Sequence, residues 1–244
     1  FRVFLPVLLF KQIYSSDLSS AVRPKVLLYA LCGVLAAFAL SILLARLCIK
    51  NRTQRSVVIQ GMYRSNFVII GIPIAESLLN GADTGAVSVM LAVIIPTYNA
   101  LAVLVLELYA DDHENIGHIL LDILKNPLII GSVCGIIFLV FGWKLPPLIE
   151  SVISSMSAVG SPMMLFLLGA FLEFGRMRQH IFPLTLAVAG RLVLVPGIFL
   201  TIGALLGFRG VEFAGLIGVF ASSTAVASFT MAQQMGGDAG LAGD

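Results

Sequence analysis

The segment YRSNFVIIGIPIAESLL, residues 63–79, is apolar enough to lie in a membrane, yet it contains Arg64, Asn66, Gly71, Pro73 and Glu76. In hydrocarbon such polar and ionisable groups are costly, and where they persist they mark a pathway or a site. Pro73 has no N–H and its ring crowds the carbonyl four residues back, and Gly71 adds a second weak point. The stretch predicts a helix broken at Gly71 and Pro73. Open backbone at membrane depth is tolerated only where protein or a water-filled cavity satisfies it. Half-helix ends then offer N–H donors to an anion.

The rest of the chain fits a membrane setting. Its 244 residues are 59% hydrophobic and 11% charged, with mean hydropathy +1.01. Soluble domains carry about 25% charged residues, so this chain cannot cover itself with a wetted surface and lipid is its expected solvent. The net charge is only +2 and the basic residues are scattered over loops, which excludes a nucleic-acid partner. Cys32, Cys48 and Cys134 lie in or at the ends of apolar runs without metal-type spacing, and read as buried small hydrophobes. No cofactor or metal is expected. The chain opens with Phe1 and shows no charged leader with a small-residue cleavage site, so no signal peptide is read.

A spanning helix needs about 20 mainly apolar residues. Seven runs qualify, near 25–49, 57–79, 86–109, 127–143, 146–173, 182–207 and 212–235, while FRVFLPVLLF at 1–10 reads as the end of a helix that begins outside the chain. The runs are continuous and do not alternate, which excludes barrel strands. Arg46, Lys50, Arg52 and Arg55 cluster in one loop and make it cytoplasmic. Alternating from there, eight basic residues fall inside and five outside. Between 110 and 126, Ile116, Ile119, Leu120, Ile123 and Leu124 form one stripe, which predicts a short helix on the inner membrane surface. The alternative is a structured loop without membrane contact.

An internal repeat sets the architecture. Pro6 with Leu9-Phe10 recurs as Pro162 with Leu165-Phe166, and the glycine-rich turn at 80–83 recurs at 236–238, both at an offset of 156. That offset moves a segment five helices along, so the second copy inserts upside down, as in many secondary transporters. The expected fold is an all-α membrane protein with an inverted repeat of five plus five helices, the first and last lying outside this chain, and with two broken helices that meet near the midplane. Residues 1–109 form the first repeat, 110–126 a cytoplasmic loop, and 127–244 the second repeat.

The partner of the opening stretch is FASSTAVASFTMAQQMGGD, 220–238, where Asn66 shifted by 156 gives Ser222, followed by Ser223 and Thr224. These residues are candidate substrate ligands. The alternative is that their hydroxyls bond their own backbone or glue helices together. Asn99, after Pro96 in the middle of its run, and Arg191, well inside its own, are further candidates. Pro6, Pro96 and Pro162 join Gly71 and Pro73 as expected helix breaks. Gln60 and Arg64 fall toward the inner end of their run, where Arg64 would snorkel to the interface, and Glu76 and Glu107 read as interfacial.

FLPVLLF, RSNFVIIGIP, IIPTYNALAVLVLE, LKNPLIIGSVCG, SPMMLFLLGAFLE and STAVASFTMAQQMGGD occur in this order along the chain. Together they resemble the bacterial branch of the auxin efflux carrier family. The resemblance implies a ten-helix carrier with the bile-acid-symporter type of fold, a scaffold domain and a transport domain, with the two broken helices crossing in the latter. It implies a small organic anion as substrate, auxin-like in plant members and malate- or malonate-type in bacterial ones. Where members usually have a proline before Thr-Ala-Val, this chain has Ser223, which bears on how sharply the second helix is interrupted. The expected function is secondary-active carriage of carboxylates by alternating access, in the plasma membrane as a multi-pass protein. The expected assembly is a homodimer through the scaffold helices. Alternatives are a sodium- or proton-coupled symporter of another organic solute, or a channel. An intramembrane hydrolase is excluded: His113, His118 and His180 lie in loops, there is no GxSxG, and no carboxylate pair shares an intramembrane face.

Overall fold

The computed structural model describes residues 3–15, 24–79, 85–109, 125–172 and 177–244. The predicted surface helix at 110–126 and the turn at 80–83 lie outside the described residues, apart from 125 and 126. Helices make up the described chain: α1 (Phe4–Tyr14), α2 (Pro24–Cys48), α3 (Arg52–Tyr63), α4 (Ile72–Leu79), α5 (Gly85–Tyr109), α6 (Pro127–Phe141), α7 (Pro147–Phe171), α8 (Ile181–Ala189), α9 (Val195–Leu205), α10 (Gly210–Ala221), α11 (Ala227–Gln234) and α12 (Ala239–Gly243). A π-turn, Phe67–Gly71, leads into α4, and a second, Gly190–Leu194, joins α8 to α9. Four helical stretches are long and apolar enough to cross a membrane: Pro24–Cys48, Val89–Tyr109, Pro147–Phe171 and Ile181–Leu205. This is an all-α membrane protein.

Local chemistry sets the helix ends. Asn51 caps α3, its side-chain oxygen accepting from the N–H groups of Thr53 and Gln54. Asn126 caps α6 in the same way, and Pro127 follows at the first helical position, where its missing N–H has no cost. Gly142, at φ +64°, closes α6 in the left-handed conformation, and the Trp143 N–H reaches back to the Phe138 carbonyl. The chain then turns at once into α7.

Helices α1, α6 and α7 pack together at one side, where Gly131 lets α6 close on the Pro6 carbonyl and Gly135 lets it close on α1 near Phe10 and Ile13. The broken helices α3–α4 and α10–α11 cross on the other side, enclosed by α2, α5, α8 and α9. Val89–Tyr109 is 61% buried over its most apolar window and Pro147–Phe171 only 12%, so α5 is central and α7 peripheral. Leu148, Val152, Val159 and Phe166 on α7 are exposed, a surface suited to lipid. Cys32, Cys48 and Cys134 also sit on outward faces, not in the core as expected.

The helix breaks are not where the prolines are. The first interruption falls at Arg64–Asn66, seven residues or more before Pro73, and the second at Ser222–Val226, with no proline in it. Pro96 and Pro162 lie inside uninterrupted helices, and Pro6 sits in the first turn of α1, where N–H groups have no intrahelical partner in any case. Pro73 instead acts through the π-turn. In an α-helix its ring would collide with the Ile69 carbonyl; widening the preceding turn, so that the Ile72 N–H bonds the Phe67 carbonyl, relieves this. The second π-turn has the same cause, since Val195 bonds the Gly190 carbonyl immediately before Pro196. Gly71 is required by packing: a Cβ there would lie 2.8 Å from the Gly218 carbonyl oxygen on α10.

Candidate functional site

Helix α3 has 12 residues, so at 1.5 Å per residue it rises about 18 Å, a little over half of a hydrocarbon core of about 30 Å. Helix α10 also has 12. Each stops near the same depth and gives way to extended backbone. The two extended pieces pair antiparallel through a Ser65–Thr224 bridge, in which the Asn66 N–H donates to the Ser223 carbonyl at 2.8 Å. Long-range pairing of main chain, rather than a local breaker, thus interrupts both helices, and the second interruption forms with a serine at 223.

The carbonyls freed at the two half-helix ends find side-chain donors, as buried helix ends require. Thr224 Oγ1 donates to the Gly61 carbonyl at 2.8 Å. Arg191 Nε donates to the Ser222 carbonyl (2.7 Å), Nη1 to Tyr63 (3.1 Å) and Nη2 to Val219 (2.9 Å). A ladder of phenols ties in α5: the Tyr63 hydroxyl donates to the Tyr98 carbonyl and the Tyr98 hydroxyl to the Val219 carbonyl.

Beside the crossing lies a cavity of about 60 Å³, roughly four times what one water needs. One side is apolar, from Leu5, Leu8, Leu9, Phe67, Ile95 and Met164, and the polar groups are Gln12, Arg64, Ser65, Asn66, Tyr98 and Asn99. Arg64 does not snorkel; it is 3% exposed. Its Nη2 donates to Asn99 Oδ1 at 2.7 Å, and Nη1 approaches Gln60 Oε1 (3.4 Å) and Met231 Sδ (2.8 Å), all uncharged. A guanidinium only donates, so it must meet the oxygens of both amides and turn their NH₂ groups away. Asn99 Nδ2 and Gln60 Nε2 are accordingly buried without partners, as is Ser65 Oγ. Asn66 is 7% exposed and its side chain makes no helix-capping bond. The result is a cluster of donors around one buried cation, a setting complementary to an anion.

Of the residues singled out from sequence, Asn66 and Asn99 come together on this cavity. Ser222 and Ser223 do not line it: their carbonyls hold Arg191 and Asn66 respectively. Thr224 faces a second cavity, of about 190 Å³, with Gln60, Ser228 and Asp244. Arg191 lines neither cavity; its Nε, Nη1 and Nη2 each donate to a backbone carbonyl. Glu76 is exposed at the surface, away from both cavities. The apolar run at 57–79 begins later than the helix that carries Arg64. The Asn51 cap, readable in the sequence, starts the helix at Arg52 and puts Arg64 at its far end, twelve residues on.

No curated protein matches the chain. The family model described as membrane transport protein matches residues 113–242, more than half of the chain and including the second broken helix. An apolar helical fold, a crossing of two interrupted helices and this match agree, and the chain belongs to the membrane transport protein family.

Proposed function

We propose that this membrane transporter is a secondary carrier of small organic anions, which bind in the cavity beside the crossing. The observation that carries the proposal is Arg64: a buried guanidinium at the end of the 12-residue α3, lining a cavity, whose hydrogen-bond partners among the described residues are all neutral. Burying a cation without a counter-charge is costly, and a carboxylate entering the cavity supplies that charge. Asn66 offers two further donors without a charge that would need neutralising when the site is empty.

The mechanism follows from the crossing. Backbone at this depth is held by its partner strand and by side chains, so the two half-helix pairs can shift as a unit and expose the cavity to either side. The antiparallel sense of the Ser65–Thr224 bridge supports an inverted relation between the halves. So do matched element lengths: α2 and the α8–α9 stretch both run 25 residues, α3 and α10 both 12, α4 and α11 both 8. Plasma-membrane location with several passes, the loop near Lys50 inside, belongs to the same proposal.

Purified protein in proteoliposomes tests it. Labelled benzoate and malonate should accumulate or exchange, and the neutral benzamide should not. Uptake of benzamide equal to benzoate, or no uptake of any carboxylate offered, would count against an anion carrier.

A further inference from the structure

We propose that Arg191 is a positioning residue: its guanidinium pins the ends of the two half-helices to each other and thereby fixes the donor geometry of the anion cavity, without touching the anion. The inference rests on the carrier reading for its consequence, but its structural part stands alone.

Two helices that end at one point present two sets of unpaired carbonyls and two negative dipole ends to each other in a medium of low dielectric. Something must hold them. Arg191 is 1% exposed and bonds Tyr63 at the end of α3 and Val219 and Ser222 at the end of α10, so one planar group spans both helices. Its delivery is built into the backbone. Pro196 forces the π-turn Gly190–Leu194, which carries Arg191, and Gly190 lets that turn approach α3: a Cβ at Gly190 would lie 2.5 Å from Met62 Cε and 2.7 Å from Met62 Cγ. π-Turns inside α-helices are frequent at functional positions.

Two of the three carbonyls held by Arg191 lead directly to the cavity. Tyr63 precedes Arg64 in the chain. Ser222 precedes Ser223, whose carbonyl accepts the Asn66 N–H. Releasing the brace therefore lets Arg64 and Asn66, the two principal donors, move relative to each other. Lysine cannot replace it, because an ammonium is a point donor and the three acceptors lie in a guanidinium-shaped arc.

The test uses the full chain with Cys32, Cys48 and Cys134 replaced by alanine and the pair Ser65→Cys with Thr224→Cys added. Copper-phenanthroline disulfide formation across the bridge reports how closely the two extended pieces are held. With Arg191 present the pair should oxidise readily. Arg191→Met should slow it at least tenfold in the folded, monodisperse fraction, and Arg191→Lys should fall between. In parallel, without the added cysteines, apparent affinity for labelled benzoate should weaken at least tenfold in Arg191→Met. If Arg191→Met does not fold, Arg191→Lys decides the matter. Oxidation as fast in the variants as with Arg191 overturns the proposal, and lost uptake with that result would make Arg191 a substrate ligand. The oxidation assay needs no substrate, so failure of the carrier reading would appear separately, as absence of benzoate uptake with Arg191 intact.

Discussion

Gly218 and Gly71 face each other where α10 crosses the first π-turn, and replacing Gly218 by alanine is a direct strain test of that crossing. The added Cβ would meet Phe67 Cε2 at 2.7 Å, the Gly71 carbonyl oxygen at 2.9 Å and Phe67 Cδ2 at 3.1 Å. Favourable carbon–carbon separation is about 3.5–4.0 Å, so the closest contact falls short by nearly 1 Å. The ring of Phe67 is 1% exposed and follows Asn66 directly, while the other obstacle is backbone, so neither yields without moving the break. Overpacking of this kind costs about 1–3 kcal/mol. Thermal unfolding in detergent, followed by size-exclusion chromatography, should show Gly218→Ala clearly less stable than the parent. Gly197→Ala is the comparison: it lies in α9 with nothing within 4 Å of the added carbon, and helix propensity alone favours alanine by about 0.5–1 kcal/mol. Its melting temperature should hold or rise. If the two variants melt alike, the close approach of α10 to the π-turn is not a feature of the folded protein, and the crossing described here fails with it.

Other outcomes follow from the same geometry. Asn66→Ala removes a hydrogen bond to a charged ligand group, worth about 1.5–3 kcal/mol; binding of benzoate should weaken roughly 10- to 150-fold with yield unchanged, and a loss of folded protein at unchanged affinity would make the amide helix glue. Single cysteines introduced at 50–55, in a background without the native thiols, should resist impermeant maleimides added outside intact cells, whereas those at 80–85 should react; labelling of 50–55 would reverse the orientation.

The positions of the helices were legible because membrane thickness dictates run length: the predicted 25–49 and 182–207 are, within a residue or two, Pro24–Cys48 and Ile181–Leu205. The crossing was legible as a kind but not in place. Pro73 is a visible breaker in the sequence, yet its effect is absorbed by a π-turn, while the actual interruption at Arg64–Asn66 is created by pairing with Ser222–Thr224, far away in the chain. No local pattern encodes that. The two arginines illustrate the same limit. Position within an apolar run made Arg191 a ligand candidate and Arg64 an interfacial residue, but the run near Arg64 begins earlier than its apolar part, at the Asn51 cap. What a guanidinium does depends on which acceptors meet it. For Arg191 these are three carbonyls at helix ends; for Arg64 they are amides, a thioether and a cavity.

If Arg64 recognises the charge of the substrate, uptake of labelled benzoate and benzamide by Arg64→Gln in proteoliposomes must show it. Glutamine keeps a hydrogen-bonding head group and removes the cation. Benzoate uptake should fall at least tenfold relative to the parent and the preference for benzoate over benzamide should disappear, in protein that remains monodisperse. Benzoate uptake and preference both unchanged in Arg64→Gln would contradict charge recognition at Arg64, and would place anion recognition elsewhere in the chain.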